Sequence, residues 1–165
     1  MRNCLYMICP SDYLESVIHS RFEGHKYFYT SLGNTLALNN NTLGQIAVLI
    51  EANNIKEIAL VLSENNSIIL DALSIRKNIR IKGLSDTYKQ LNEYEKQTLK
   101  TWELRDQQIM ILSYHLNNKI KELRSGLHFF LPKVPEIKGK LFFKSSSSFK
   151  EIHSELVCTD SLILN

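Results

Sequence analysis

Cysteine, proline and glycine are all scarce in this 165-residue chain, which has three, three and six of them. The cysteines Cys4, Cys9 and Cys158 are odd in number and contain no Cys-x-x-Cys pair. A disulfide scaffold is therefore excluded, and free thiols in a reducing compartment are the better interpretation. The composition also excludes a collagen-like repeat and a disordered chain, because 44% of the residues are hydrophobic and 22% are charged.

A strong charge of one sign and a long apolar run are both missing. Twenty Lys and Arg against seventeen Asp and Glu give a net charge of +3, too mild to indicate nucleic acid as a partner. The apolar start is interrupted at Cys9-Pro10-Ser11-Asp12, so it is too short for a membrane span, and it lacks a signal-peptide cleavage pattern. We therefore expect a soluble, cytoplasmic protein with no membrane contact.

What the chain does contain is an alternation of short apolar runs and helical patterns. Its length fits one domain over residues 1–165. The pattern predicts an α/β fold with a central, mostly parallel sheet flanked by helices. Asp12 is the predicted cap of the first helix. The predicted strands are 3–9, 26–30 and 55–62, and the predicted helices are 13–21 and 42–54.

The second half is dominated by a helical pattern at about 86–125, with a break predicted near Arg105–Asp106 because forty residues is long for one globular helix. A helix at 68–78 is left open against irregular structure. The pattern predicts another strand at 138–144 and an edge strand or a tail at 145–165.

Polar residues follow the third predicted strand, at the end where open α/β sheets bind ligands. Glu64 is a candidate base or ligand, Asn65, Asn66 and Ser67 are candidate pocket residues, and Gly33-Asn34 could bind an anion through backbone amides. A solvated loop explains Glu64 equally well, turn chemistry is the alternative for the Asn and Ser residues, and a plain turn is the stronger interpretation of Gly33-Asn34. The five histidines have no metal-binding spacing and are interpreted as surface or packing residues. The chain has no Gly-rich turn after its first strand, no P-loop and no Gly-x-Ser-x-Gly, which excludes three enzyme classes.

Five segments within residues 3–144 follow one another in a recognisable order: ICPSD, YFYTSLGN, TLGQIAVLIEANNIKEIALVLSENNS, ILSYHLNNKIKEL and IKGKLFFK. Taken in this order, they resemble the β-class carbonic anhydrases, which are small α/β zinc enzymes. In that family one strand ends in Cys-x-Asp-x-Arg, the next runs into Arg-Asn-Ala-Gly-Asn, and a later one runs into Gly-His-x-x-Cys-Gly.

The departures from the family fall on its chemistry. Cys9 matches the first zinc-ligand cysteine, whereas Ser11 and Tyr13 stand at the family's Asp and Arg. Glu64 stands at the ligand His and Ser67 at the second ligand Cys. A register slip of one residue would bring Asp12 into the place of the family's Asp.

A catalytic zinc needs three protein ligands and an open position for water. Cys9 and Glu64 could supply two, Ser67 is a poor ligand, and a third would have to come from elsewhere, such as His19 or His25. We therefore expect no metal and no cofactor, and the enzyme assignment stays open, with the balance against catalysis. Cys9 also fits the alternative of a small buried residue at a strand end.

Three hypotheses follow. The first is a non-catalytic protein of carbonic-anhydrase-like fold that binds a small ligand or acts as an oligomeric partner; the resemblance implies a homodimer. The second is a divergent metal-dependent lyase with a non-standard site, and the third is a plain flavodoxin-like domain. The candidate ligand-binding residues are Cys9, Ser11, Tyr13, Gly33, Asn34, Glu64, Asn65 and Ser67.

Overall fold

The computed structural model describes residues 2–73, 89 and 104–152 of the chain. Its strands are β1 (Cys4–Ile8), β2 (Lys26–Thr30), β3 (Glu57–Ser63), β4 (Glu136–Phe143) and β5 (Ser148–Glu151). Its helices are α1 (Glu15–Arg21), α2 (Asn40–Ala52), α3 (Ser67–Leu73) and α4 (Leu104–Leu127). Two short 3-10 helices, Pro10–Asp12 and Leu32–Asn34, follow β1 and β2.

The strands form one mostly parallel sheet in the order β2-β1-β3-β4-β5. β1 pairs in parallel with β2 and β3, and β3 pairs in parallel with β4. β5 is antiparallel to β4 and lies at the edge. This sheet with its flanking helices confirms the predicted α/β class. From β1 the chain goes to β2 on one side and later to β3 on the other, so the strand order reverses at β1 and β3.

Both faces of the sheet are covered, which explains the continuous apolar runs of β1 and β3. On one face Leu5, Met7 and Leu60 pack against the apolar stripes of α2 and α4. The stripe of α2 is Leu43, Ile46, Ala47 and Ile50, the helical spacing seen in the sequence. On the other face Tyr6 and Ile8 pack against Leu14 and Ile18, beside α1.

Three local predictions need correction. Asp12 does not cap α1: the cap position is Leu14, with no side-chain hydrogen bond, and the Asp12 carboxylate turns toward β3. α2 begins at Asn40 because the Asn39 side chain accepts a hydrogen bond from the Thr42 N–H at 2.9 Å. Arg105 and Asp106 lie inside α4, so the helix is not broken there.

The part of the predicted long helix before residue 104 lies outside the described residues, apart from Lys89, and so do residues 153–165. The segment left open at 68–78 contains a helix, α3, in its described part. Within the described ranges, no helix combines the length and apolarity that a membrane crossing needs.

Candidate functional site

Three polar loops meet at the carboxyl edge of the sheet, where β1, β2 and β3 end. They are the two 3-10 helices and the turn at residues 64–66. The strand order reverses between β1 and β3, and open α/β sheets bind ligands at such a point. The residues predicted to form a site therefore lie at one end of the molecule.

Cys9 is fully buried at the end of β1, with its sulfur held from two directions. The Gly33 N–H donates to Cys9 Sγ at 3.0 Å, and Ser11 Oγ lies 3.0 Å from the same sulfur. Gly33 has a φ of 58°, and a Cβ there would come within 3.1 Å of the Ile68 side chain. Glycine is thus favoured here by the left-handed backbone and by the close packing of this loop against α3.

The peptide after Gly33 is held by a buried histidine. His115 Nε2 on α4 lies 2.7 Å from the Gly33 carbonyl oxygen, to which the neutral ring donates. Burial lowers the pKa of His115 to about 4, so the ring is uncharged at neutral pH. Asn34 is also buried and donates through Nδ2 to the Val61 carbonyl at 2.9 Å. Its Oδ1 has no hydrogen-bond partner within the described residues.

Asp12 links the loops after β1 and β3. Its Oδ2 accepts from the Ser63 N–H and its Oδ1 from Asn66 Nδ2, both at 2.8 Å. The Asn66 Oδ1 in turn accepts from the Ile69 N–H at 3.0 Å, in the first turn of α3. Burial raises the pKa of Asp12, and these two hydrogen bonds offset that effect only in part.

Glu64 is buried beside β4. Its N–H donates to the Phe142 carbonyl at 2.9 Å, and its Oε1 accepts from the Lys144 N–H at 3.1 Å. Gln108 Nε2 on α4 donates to the Glu64 carbonyl. An open cleft of about 330 Å³ lies here, lined by Glu64, Asn65, Gln108, Ile109 and Ser145.

The structure brings only part of the predicted set together. Cys9, Ser11 and Gly33 are in mutual contact through the thiol, and Asn34 is buried next to them. The others lie further out: Tyr13 is 80% exposed, and Asn65 and Ser67 are exposed.

Sequence reasoning missed the roles of two polar groups at this edge. Asp12 was visible only as a helix cap and as a register slip, whereas the fold uses its carboxylate to join two loops. His115 carries no sequence signal for its bond to Gly33, because 82 residues separate the two.

The described residues do not fit a zinc ion. Among them, no three His, Cys, Asp or Glu side chains converge on one point. The His19 ring packs on Phe28 at 5.1 Å, whereas Cys9 belongs to the core on the other face of the sheet. The His25 carbonyl accepts from the Cys4 N–H, which places His25 at the opposite end of β1 from Cys9. Neither candidate third ligand reaches the thiol.

Neither a protein-family model nor a curated protein sequence matches the chain. Solved structures do match it. The β-carbonic anhydrase CafA of the fungus Aspergillus fumigatus aligns at 11% identity and a TM-score of 0.72, covering 99% of this chain and 84% of that chain.

Two further structures align similarly. A tetrameric β-carbonic anhydrase of Sordaria macrospora has 19% identity and a TM-score of 0.68, with 92% and 80% covered. The Coccomyxa enzyme has 12% identity and a TM-score of 0.71, with 92% and 72% covered. The match over nearly the whole chain favours this fold over a plain flavodoxin-like domain. The chain therefore has the fold of the β-carbonic anhydrases, as the order of its sequence motifs predicts.

Proposed function

We propose that this chain is a non-catalytic protein on the β-carbonic anhydrase fold, which binds a small ligand at the carboxyl edge of its sheet or acts within an oligomer. One observation carries the proposal: the Cys9 sulfur, at the place of a family zinc ligand, accepts the Gly33 N–H and contacts Ser11 Oγ. The thiol is thereby part of a hydrogen-bonded turn.

The chemistry of the neighbouring groups supports this proposal. Hydration of carbon dioxide needs three ligands that lower the pKa of a zinc-bound water toward 7. The Glu64 carboxylate accepts a hydrogen bond from the Lys144 N–H. Ser67 is exposed, and its hydroxyl resists ionisation. The residues that remain at this edge are suited to hydrogen bonding.

The second candidate function is a divergent, metal-dependent lyase with Cys9 and Glu64 as ligands. The observation in its favour is that both side chains are buried at the same edge of the sheet. It requires a third ligand from outside the described residues, where His153 and Cys158 occur in the sequence.

Metal content tests the two functions against each other. We expect elemental analysis of untagged protein, purified without chelators, to find far less than one zinc per chain. We also expect no acceleration of carbon dioxide hydration with added zinc, and no change in melting temperature with a chelator. Stoichiometric zinc that disappears in Cys9→Ala and persists in Cys4→Ala, a matched buried cysteine, together with zinc-dependent carbon dioxide hydration, would instead establish the lyase.

We further propose that the protein is a homodimer formed through the outer edge of β2. In support, β2 is the outermost strand of the sheet, and among the described residues it pairs on one side alone, with β1. The backbone groups of such an edge are available to another strand. Residues 26–30, KYFYT, also carry three half-buried aromatic side chains there.

A cytoplasmic location is part of the same proposal. Cys4 and Cys9 are both buried and free of disulfides. Free thiols of this kind fit a reducing compartment.

A further inference from the structure

A pocket of about 430 Å³ lies at the amino end of the sheet. It is lined by Lys56, which precedes β3, and by Glu136, the first residue of β4. The last turn of α2 and the loop at residues 131–135 form its sides. Cys9 and the candidate functional site lie at the carboxyl end, so this pocket is a separate feature of the fold. Its volume is in the range of about 300–1,000 Å³ that is typical of sites for small molecules.

Part of the pocket lining is apolar and belongs to the core. Ile50, Ile55 and Leu131 line it, and each is at most 5% exposed. Val134 and Pro135 are half-buried and line it as well. An apolar group that enters the pocket is therefore removed from water, which is the main source of affinity in sites of this kind.

Backbone hydrogen bonds hold the sides of the pocket in place. The Ile55 N–H donates to the Ile50 carbonyl at 3.0 Å and closes the turn after α2. The Glu136 N–H donates to the Lys56 carbonyl at 3.3 Å and joins the two sides. The loop at residues 131–135 contains two prolines, which restrict its backbone. The pocket is thus formed before any ligand arrives, and binding needs little ordering of the chain.

The charged residues that line the pocket favour an anion. Lys56 and Lys133 are exposed, and neither forms an ion pair with another described residue. Of the two acidic residues, Glu136 is already paired with two cations, at 2.7 and 3.1 Å. Glu51 is the other. Two lysines without ion pairs against one such glutamate leave a net positive charge at the pocket.

The C-terminal end of α2 is capped, which reduces its repulsion of an anion. A helix C-terminus has unpaired carbonyl groups and a partial negative charge. Here the carbonyls of Leu49, Ile50 and Glu51 accept the N–H groups of residues 53–55 in the turn that follows. The lysines are therefore the dominant unpaired charges beside the apolar lining.

We propose that this pocket binds a small, free amphipathic carboxylate. Its apolar chain packs against Ile50, Ile55 and Leu131, and its carboxylate lies beside Lys56 and Lys133. A medium-chain fatty acid such as octanoate has this chemistry. This site and the one proposed at the carboxyl end do not depend on each other.

The test is an NMR titration of the full-length protein with octanoate, below the concentration at which octanoate forms micelles. We expect the backbone N–H signals of Ile55, Lys133 and Val134 to shift together and saturably, with a dissociation constant below about 1 mM. The Gly33 N–H, at the opposite end of the sheet, should not shift. Octanol lacks the carboxylate and butanoate lacks half of the chain, so each should bind at least ten-fold more weakly.

Charge variants assign the anion to the lysines. Lys56→Gln and Lys133→Gln should each weaken octanoate binding about two- to five-fold, and the double variant about ten-fold. Glu51→Gln removes the acidic residue that lacks an ion pair and should tighten binding about two-fold. Lys121→Gln changes an exposed lysine on α4 that does not line the pocket, so it should bind as the wild type does. Octanol has no charge, and its affinity should be the same in every variant.

Three outcomes would overturn the inference. The first is the absence of a saturable shift confined to the residues that line the pocket. The second is octanol binding as tightly as octanoate. The third is unchanged octanoate affinity in the double lysine variant, with a melting temperature equal to that of the wild type. The zinc content, measured separately, is unaffected by any of them.

Discussion

At the residue scale, His115 shows how the fold fixes a protonation state. Its ring is buried in α4 and donates to the Gly33 carbonyl. Because burial lowers its pKa to about 4, the folded protein binds a proton there more weakly than the unfolded chain, whose value is near 6.5. The contribution of His115 to the free energy of unfolding is therefore fully present above pH 6.5 and is lost as the pH falls toward 4.

We therefore predict that acidification destabilises the protein through His115. Between pH 7 and pH 5 the free energy of unfolding should fall by about 2 kcal/mol on account of this residue. Urea denaturation at the two pH values measures the change. His115→Gln keeps an N–H donor near the Gly33 carbonyl but does not titrate, so this part of the pH dependence should be missing from the variant. The same change in the free energy of unfolding between pH 7 and pH 5 in both proteins would contradict the prediction.

The Asp12 carboxyl changes the pH dependence of the free energy of unfolding in the opposite direction. Its pKa is raised in the fold, so its protonation favours the folded state and its contribution declines as the pH rises through the folded-state value. Asp12 is present in both the wild type and His115→Gln, so its contribution cancels when the pH dependence of one protein is subtracted from that of the other.

Residue roles were the least predictable part of the molecule from sequence. Cys9 and Gly33 were found through a family pattern, and the structure shows them in contact. Asp12 looked like a helix cap because Asp is common there, but its carboxylate finds backbone and amide donors 51 and 54 residues away. Local sequence contains no information on such distant donors, since they depend on the strand order.

At the element scale, α2 packs against α4 and the segment that follows it, and a glycine in each helix has different surroundings. A Cβ on Gly126 of α4 would lie 2.6 Å from Leu43 Cδ1, well inside contact distance. A Cβ on Gly44 of α2 would lie 3.7 Å from Phe130 Cε1, which is ordinary contact. Gly126 is thus needed for close helix packing, whereas Gly44 is not.

The two glycines give a matched pair of variants. Gly44→Ala should stabilise the protein by about 0.5–1 kcal/mol, because alanine is the better helix former. Gly126→Ala gains the same propensity but overpacks a buried leucine, which typically costs about 1–3 kcal/mol, so it should be neutral or destabilising. Thermal or urea unfolding measures both. A Gly126→Ala variant as stable as Gly44→Ala would show that the helices are less closely packed than described.

Most elements could be predicted because their signals are local. The apolar runs of β1 and β3 and the stripe of α2 indicate their type without any knowledge of the fold. Boundaries and short 3-10 helices could not be predicted, since they depend on contacts between loops. The supposed break at Arg105–Asp106 came only from a prior on helix length, and α4 continues through both residues.

At the scale of the whole molecule, the two ends of the sheet differ in their charges. At the amino end, Arg2 pairs with Glu57 and Glu136 at 3.2 and 2.7 Å, and Lys138 lies 3.1 Å from Glu136. These pairs connect β3, β4 and the segment that precedes β1. At the carboxyl end, the Asp12 carboxylate accepts hydrogen bonds from two neutral donors, the Ser63 N–H and the Asn66 side-chain amide. Within the described residues, ion pairs therefore connect the sheet at its amino end, and neutral hydrogen bonds connect the loops at its carboxyl end.

The edge of the sheet leads to a prediction about assembly. On either side of β2, the His25 carbonyl accepts from the Cys4 N–H and the Ser31 N–H donates to the Ile8 carbonyl. The backbone groups of odd-numbered residues in β2 therefore point toward β1. By alternation, the N–H of Thr30 points away from β1, toward the outer edge. Proline at this position removes one outward donor, and alanine keeps it.

We therefore predict a dimer of twice 19.1 kDa for the wild type and for Thr30→Ala at micromolar concentration, measured by sedimentation velocity. Thr30→Pro should dissociate at least ten-fold more readily, because the edge loses a hydrogen bond and gains a ring that obstructs a partner strand. Circular dichroism of the two variants checks that β2 still folds. A wild-type monomer at these concentrations, or a Thr30→Pro dimer as tight as that of Thr30→Ala, would show that the outer edge of β2 is not the contact.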